Sequence, residues 1–336
     1  MKVDTGLGAA VDTREAAVAA QQAGYAGAWT SEIKHDPFLT LGLAAVATDT
    51  LELGTAIVVA FARNPMSLAV QANDLQLLSE GRLLLGLGSQ IRPHITRRFS
   101  MPWSHPAPRM REYILALRAI WGCWNDGTKL NFRGDFYSHT LMTPFFNPGP
   151  NPHGAPRVLL AGVGEAMTAV AGEVADGFLC HGFTTERYLR EVTMPALARD
   201  RPGGDLAGYQ VSGSPLVVTG RTEAELEAAD RGVREQIAFY GSTPAYRPVL
   251  ERHGWGELSG ELHALSLQGQ WQQMGTLIDD QVLDAFAVTA EPGRVAAELL
   301  RRYGDLMTRM TLYPPHAIDP AVTRQIAADL QGGPAS

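Results

Sequence analysis

The chain has little cysteine. Of its 336 residues only Cys123 and Cys180 carry thiols, and they share no CxxC spacing. A disulfide framework or a cysteine zinc site cannot be built from them, so they are expected to be reduced core residues of a cytoplasmic protein. No apolar run approaches the ~20 residues of a membrane span. Asp4, Asp12, Arg14 and Glu15 interrupt the stretch where a secretory leader needs apolar residues, so none is expected. Basic excess is missing too: the formal net charge is -7 and the pI about 5.7, which argues against nucleic acid as a partner. The histidines, including His35, His94, His105, His139, His153 and His181, show no HExxH spacing and no clustering with carboxylates, so no metal is expected. Ser31 and Ser89 lack a GxSxG context, which excludes a serine hydrolase of that type.

What is present is a large apolar fraction, 45% against 19% charged, enough for a substantial core. Strand-like segments at 3–8, 26–31, 51–60, 83–88, 157–161, 177–180, 209–219 and 308–313 alternate with helical ones. Helix starts are marked by Asp12 with Glu15, Asp36-Pro37, Asn64-Pro65, Thr222 with Glu225, and Glu291-Pro292. Two segments break the alternation. Residues 125–156 contain a hairpin pattern turning at Gly134-Asp135 and a connector rich in Pro, Gly and Asn, and residues 241–281 fit no single period. Eight strands alternating with helices predict one α/β domain, a TIM (β/α)8 barrel with insertion segments; a doubly wound open sheet would have fewer strands.

Barrel chemistry sits at the carboxyl ends of the strands. That selects Asp4, Glu32, His35, Asp36, residues 60–63, residues 89–98, residues 162–165 and His181. The stretch 81–111 stands out, with six arginines (Arg82, Arg92, Arg97, Arg98, Arg109, Arg111) and no acid. Either it is a solvated loop or it builds a ligand site; its length favours the site. Gly162-Val163-Gly164-Glu165 leaves a strand and opens a helix, a place where backbone N–H groups can receive a phosphate. It is no complete dinucleotide fingerprint, because Met167 holds the third glycine position. Glu32 with His35 could form a general acid/base group, whereas Asp36 reads as a helix cap. Trp29, Phe61 and Trp103 are either core or an aromatic wall for a planar ring.

Three stretches carry a resemblance. They are Leu53-Gly54-Thr55 through Asn64-Pro65, Leu78-Ser79-Glu80-Gly81-Arg82 with Leu85-Gly86-Leu87-Gly88, and Ala171-Gly172-Glu173-Val174-Ala175-Asp176-Gly177. Together the chain, from Val3 to about Tyr313, resembles the luciferase-like monooxygenase superfamily, and more closely its coenzyme F420-dependent oxidoreductase branch. The resemblance implies a TIM barrel. It also implies a non-prolyl cis peptide at Ala56-Ile57 behind the deazaflavin ring, and a coenzyme phosphate on the amides of Ala161, Gly162, Val163 and Gly164. Glu32 would lie near the ring, with Gly88 and His94 on the strand-four side. Sugar-phosphate dehydrogenases of this branch carry a catalytic Glu where Ile91 stands here, so their reaction is not expected. The lysine of some members after strand six is Thr184. The expected activity is hydride transfer between coenzyme F420 and a small-molecule substrate, with Glu32, His35 and His94 as catalytic candidates. An FMN-dependent monooxygenase using O₂ is the alternative, and a noncatalytic ligand-binding barrel a more distant one. A homodimer is expected, with no membrane partner.

Overall fold

The computed structural model describes residues 1–9, 11–312, 316 and 318–332. Short, largely buried segments form a ring of parallel strands: β1 (Lys2–Gly6), β2 (Gly27–Thr30), β3 (Glu52–Thr55), β4 (Leu83–Gly88), β5 (Arg157–Gly162), β6 (Gly177–Cys180), β7 (Gln210–Gly213) and β8 (Arg309–Thr311). Each pairs with its neighbour, and β8 returns to β1 through Lys2↔Arg309 to Asp4↔Thr311, so the sheet closes into an eight-stranded barrel. Closure with helices outside buries both faces of every strand, which is why the strands read as continuous apolar runs. Tyr313, expected at the end of β8, lies outside the described residues.

Two expected strands are interrupted, and both interruptions shape the barrel mouth. The run 51–60 pauses after Thr55 and resumes at Val58–Val59. Gly54 pairs with Leu84, but Val58 pairs with Leu87, so three residues oppose two and the strand bulges. The Thr55 hydroxyl sits in that bulge, donating to Gly86 O at 2.8 Å and accepting from Gly86 N at 2.8 Å. A Cβ on Gly86 would lie 1.8 Å from Thr55 O, so only glycine fits. The run 209–219 leaves the barrel after Gly213. Leu216–Val218 then pairs with Ala287–Thr289, a strand that the sequence pattern did not reveal.

Helix signals held where a side chain could reach the first turn. Asp36 accepts from Phe38 N and Leu39 N, Asn64 accepts from Met66 N, and Thr222 forms a reciprocal box with Glu225. Asp12 does not cap: its ψ of 18° is not extended and its side chain makes no cap bond. The hairpin pairs Phe132–Arg133 with Ser138–His139, and the 241–281 insertion is helical, with Gly256–Leu267 its longest segment.

Inside the barrel, the end at which the strands begin is ionic. Arg309 and Asp4 are both fully buried and bound in two-point fashion, with Arg309 Nη2 2.7 Å from Asp4 Oδ1. Arg309 Nη1 also reaches Glu52 at 2.9 Å, and Lys2 and Arg157 close the cluster at 2.8 and 2.7 Å. These cations hold the Glu52 carboxyl down at about 2 although its burial acts in the opposite sense. The Trp29 indole N–H donates to Asp4 Oδ2 at 2.8 Å. Asp4, expected among the strand-end residues, is therefore a structural ion within the barrel, because it lies midway along β1 rather than past its end.

Candidate active site

Above the ionic layer, Trp29, Leu84, Leu159 and Leu179 fill the barrel from four strands. The Trp29 ring needs Gly54 beside it, where a Cβ would lie 2.1 Å from the indole. Ile57 and Ala161, both partly exposed, pack on top of this layer and form the apolar floor of the open end. The Ala56–Ile57 peptide is cis, at the bulge after β3. Its neighbours fix it: Ala56 N–H donates to Thr30 O at 2.8 Å, Ser31 Oγ donates to Ala56 O at 2.7 Å, and Glu32 N–H donates to Ile57 O at 3.2 Å. A Cβ on Gly88 would lie 2.8 Å from Ile57 Cδ1, so the end of β4 abuts the same floor. Ala56, Ile57, Gly88 and Ala161 thus converge on one side of the barrel, at the strand ends.

Glu32 follows β2 and faces the same bulge. Both its oxygens lie 2.6 Å from Arg63 Nη1, and Oε2 also accepts from Val59 N–H at 2.8 Å. Arg63 Nη2 reaches Asp36 at 3.2 Å. All four partners come from the β2 and β3 exits, so Glu32 braces one exit against the other. His35 is exposed on the same loop, and His94 is exposed after β4. Arg98 joins those two loops, donating through Nη2 to Ile33 O.

The basic stretch is not uniform. Arg82 donates to Ala45 O, Thr48 O, Thr48 Oγ1 and Leu51 O, tying down loops at the barrel's ionic end. Arg109 is buried over the Phe61 ring at 4.5 Å and donates to Pro102 O at 2.7 Å and Tyr137 Oη at 2.8 Å. Arg111 pairs with Glu173. Only Arg92, Arg97 and Arg98 remain on an exposed loop, whose residues His94–Arg98 form a π-helical turn plugged by buried Ile95. Sequence reasoning grouped all six because their helix-facing partners are remote in sequence. Phe61 is fully buried and Trp29 nearly so, and Trp103 meets Phe61 edge-on at 5.7 Å, so these rings are core rather than a wall around a ligand.

The third part of the mouth is the turn after β5. Gly164 is the N-cap of helix Glu165–Val174 and has no side chain to offer, so the first-turn amides lack a capping acceptor. A Cβ built on Gly164 would meet nothing within 4 Å. Gly162 and Val163 line a small pocket with Cys180, His181, Thr184 and Tyr188, and Tyr188 Oη donates to Val163 O at 3.2 Å. Within it Thr184 Oγ1 is buried without a hydrogen-bond partner. Burial pushes His181 down to about 4. Its Nδ1 accepts from Phe183 N–H at 3.0 Å, which leaves the proton on Nε2, 3.3 Å from Tyr246 Oη. Tyr240 and Tyr246 enclose the imidazole at 4.7 and 4.6 Å. Tyr246 comes from the irregular insertion, and no sequence signal pointed to it. Among the described residues no group of His, Cys, Asp and Glu could hold a metal ion.

The luciferase-like monooxygenase family matches residues 2–309. An uncharacterized protein of Mycobacterium tuberculosis (strain H37Rv) is 57% identical over 298 residues, covering 88% of each chain. An F420-dependent glucose-6-phosphate dehydrogenase of Amycolatopsis mediterranei is 25% identical over 316 residues, 86% of this chain and 84% of that one. Among solved structures, the coenzyme F420 dependent tetrahydromethanopterin reductase from Methanopyrus kandleri superimposes with a TM-score of 0.79 at 17% identity, covering 99% of this chain and 98% of that one. The chain belongs to the luciferase-like monooxygenase family, an oxidoreductase family, and has its barrel.

Proposed function

We propose that the protein is an oxidoreductase that transfers a hydride between the deazaflavin coenzyme F420 and a small organic substrate. The observation that carries this reading is the turn after β5. Open space faces Gly164, and Thr184 Oγ1 is buried without a partner in the adjoining pocket. A phosphate ester fits both features, since it supplies acceptors for uncapped helix amides and for an orphaned hydroxyl. Ala161, Gly162, Val163, Gly164 and Thr184 would hold that end of the coenzyme. Ile57, Gly88 and Ala161 would form the apolar surface beneath its ring. When bound, the deazaflavin supplies the hydride acceptor or donor.

The chain's own residues then have three tasks. The packed layer of Trp29, Leu84, Leu159 and Leu179 excludes water from below. Glu32, engaged at both oxygens by Arg63 and at one by Val59 N–H, holds the ring-facing segment in position rather than offering a free carboxyl. His35 and His94, exposed on the two loops that Arg98 joins, are the residues to hold and move the proton that accompanies hydride transfer.

Titrating the purified protein with F420 and with FMN tests the reading. Tighter binding of F420 is expected, and equal or reversed affinities would replace it with an FMN-dependent monooxygenase, which the family's description favours. Single-turnover hydride transfer by His94→Asn and His35→Asn then separates the two proton candidates. The true donor should lose ~10²–10⁴-fold and the other residue far less.

We also propose that two copies pair through helices Pro37–Ala45 and Pro65–Leu78. These adjacent helices expose Leu39, Leu43 and Val46 on one and Val70, Leu77 and Leu78 on the other, an apolar face unusual for a monomer. Light scattering should give a dimer that Leu39→Asp with Leu77→Asp disrupts; a monomeric wild type would rule the pairing out.

A further inference from the structure

The loops after β2 and β4 concentrate basic side chains that no described residue neutralises. Lys34, His35, Arg92, His94 and Arg97 are all exposed, and among the described residues none makes a side-chain hydrogen bond or ion pair. The acids beside them are already engaged. Arg63 takes Glu32 and Asp36. Elsewhere on the surface arginines find carboxylates: Arg187 with Glu191, Arg190 with Asp305, Arg221 with Asp319 and Arg247 with Glu251. Arg14, Arg231, Arg294 and Arg324 are also exposed without an ion pair among the described residues, so what sets this place apart is that its cations gather on two loops at the barrel mouth.

The loop's course separates this charge from the turn after β5. Strands follow the order β2, β3, β4, β5 around the barrel. From the end of β4 the loop runs back across the β3 exit, because Arg98 donates to Ile33 O beyond β2. Arg97 and Lys34 each adjoin that contact in sequence, so they lie at the β2 side of the mouth, three strands from Gly162–Gly164, which has its own provision for a phosphate. Unpaired cations on a rim bordered by low-dielectric walls attract an anion, and a guanidinium can bind a carboxylate or phosphate in two-point fashion.

We infer that the substrate carries an anionic group, a carboxylate or a phosphate, and that Arg92, Arg97 and Lys34 receive it on the rim between the β2 and β4 exits. Calling that anion the substrate's rests on the hydride-transfer reading above; the anion site itself does not. It would orient the reacting carbon over Ile57 while His35 or His94, on the same two loops, faces the substrate's polar end.

The test uses pyrophosphate and citrate as probes, titrated calorimetrically into the purified protein at constant ionic strength, with F420 affinity measured in parallel. Arg92→Ala with Arg97→Ala should weaken the preferred probe by at least about tenfold, and Lys34→Ala by about threefold, while F420 affinity stays within about twofold. Gly164→Val should keep probe binding and lose F420. The better of the two probes identifies phosphate or carboxylate as the group read. Wild-type protein that binds neither probe, or a double variant that binds like wild type, overturns the inference. So does Gly164→Val abolishing probe binding, since the turn after β5 would then be the anion site. Failure of F420 to bind wild type, with probe binding still lost in the double variant, would remove the coenzyme reading and leave the rim site standing.

Discussion

The two ends of the barrel treat charge in opposite ways. At the end where the strands begin, Asp4, Arg309, Glu52, Lys2 and Arg157 meet within hydrogen-bonding distance and leave no formal charge of the cluster unopposed. At the carboxyl end, Arg92, Arg97 and Lys34 have no side-chain partner among the described residues, Gly164 faces open space, and Thr184 Oγ1 is buried with none of those residues as a partner. Both ends belong to the same strands, so the difference is not one of fold. Buried ions must be matched within the protein, because desolvating them alone is costly. A rim can leave donors unmatched where water or a ligand completes them. The contrast marks the carboxyl end as the candidate site without reference to any relative.

The sharpest way to break the contrast is to unbalance the closed end. Asp4→Asn leaves Arg309 fully buried with a weakened partner, and breaking such a pair costs about 3–5 kcal/mol. Urea unfolding should show that loss, whereas Arg92→Ala with Arg97→Ala should stay within about 0.5 kcal/mol of wild type. Comparable losses at both ends would mean that the rim arginines support the fold.

His181 follows β6 at the carboxyl end, half-buried beside the candidate site. Its folded value of about 4 lies below the ordinary 6.5, so the unfolded chain takes up its proton first. The stability of the neutral folded form is complete above about pH 6.5 and lost as pH falls toward 4, by up to about 3 kcal/mol. Other histidines titrate too, so the quantity to measure is the unfolding free energy of wild type minus that of His181→Gln. That difference should fall across this window and level off below it. A flat difference would place His181 in solvent, with the rim residues.

A third perturbation separates site from scaffold at one residue. Gly164 has an extended backbone, φ -82° and ψ 152°, and space for a side chain. Gly164→Val should therefore leave the melting temperature close to wild type while F420 affinity falls roughly 100-fold, because bulk prevents the approach of a phosphate to the amides. An equal loss of stability would make the turn structural.

How much of this was legible follows from the range of the interactions. The β-branched and leucine runs, the Asp36-Pro37 and Asn64-Pro65 starts and the Thr222–Glu225 box are local, and they held. Gly162–Gly164 was legible as a glycine exit from a strand into a helix, whereas Ala56-Ile57 came from family resemblance, and the cis peptide is where the resemblance put it. Asp12 failed as a cap because its backbone is not extended there, which the residue pattern does not reveal. The division of six arginines into three that bind other elements and three on the exposed loop depends on partners such as Ala45, Tyr137 and Glu173, far away in sequence. Glu32 looked like a free acid for the same reason: Arg63 is 31 residues on. The Tyr240 and Tyr246 enclosure of His181 depends on how an irregular insertion packs.

The smallest expected effect is also the most discriminating, because its two parts have opposite signs. Thr184 Oγ1 is buried in the pocket beside Gly162 and has no partner, so in the free protein it retains an uncompensated desolvation penalty. Thr184→Val keeps the shape and removes the hydroxyl. Without ligand the variant should be as stable as wild type or slightly more so, by a few tenths of a kcal/mol up to about 1 kcal/mol. With ligand, wild type regains a hydrogen bond that valine cannot make, so F420 affinity should fall by about 5–10-fold, corresponding to roughly 1 kcal/mol. Thr184→Ser restores the hydroxyl and should recover most of the affinity. Thermal melts with and without coenzyme measure both parts in one experiment: the valine variant should melt at or above wild type alone, and below it at saturating F420. If valine instead destabilises the free protein, the hydroxyl already has a partner there, and Thr184 belongs with the closed end of the barrel.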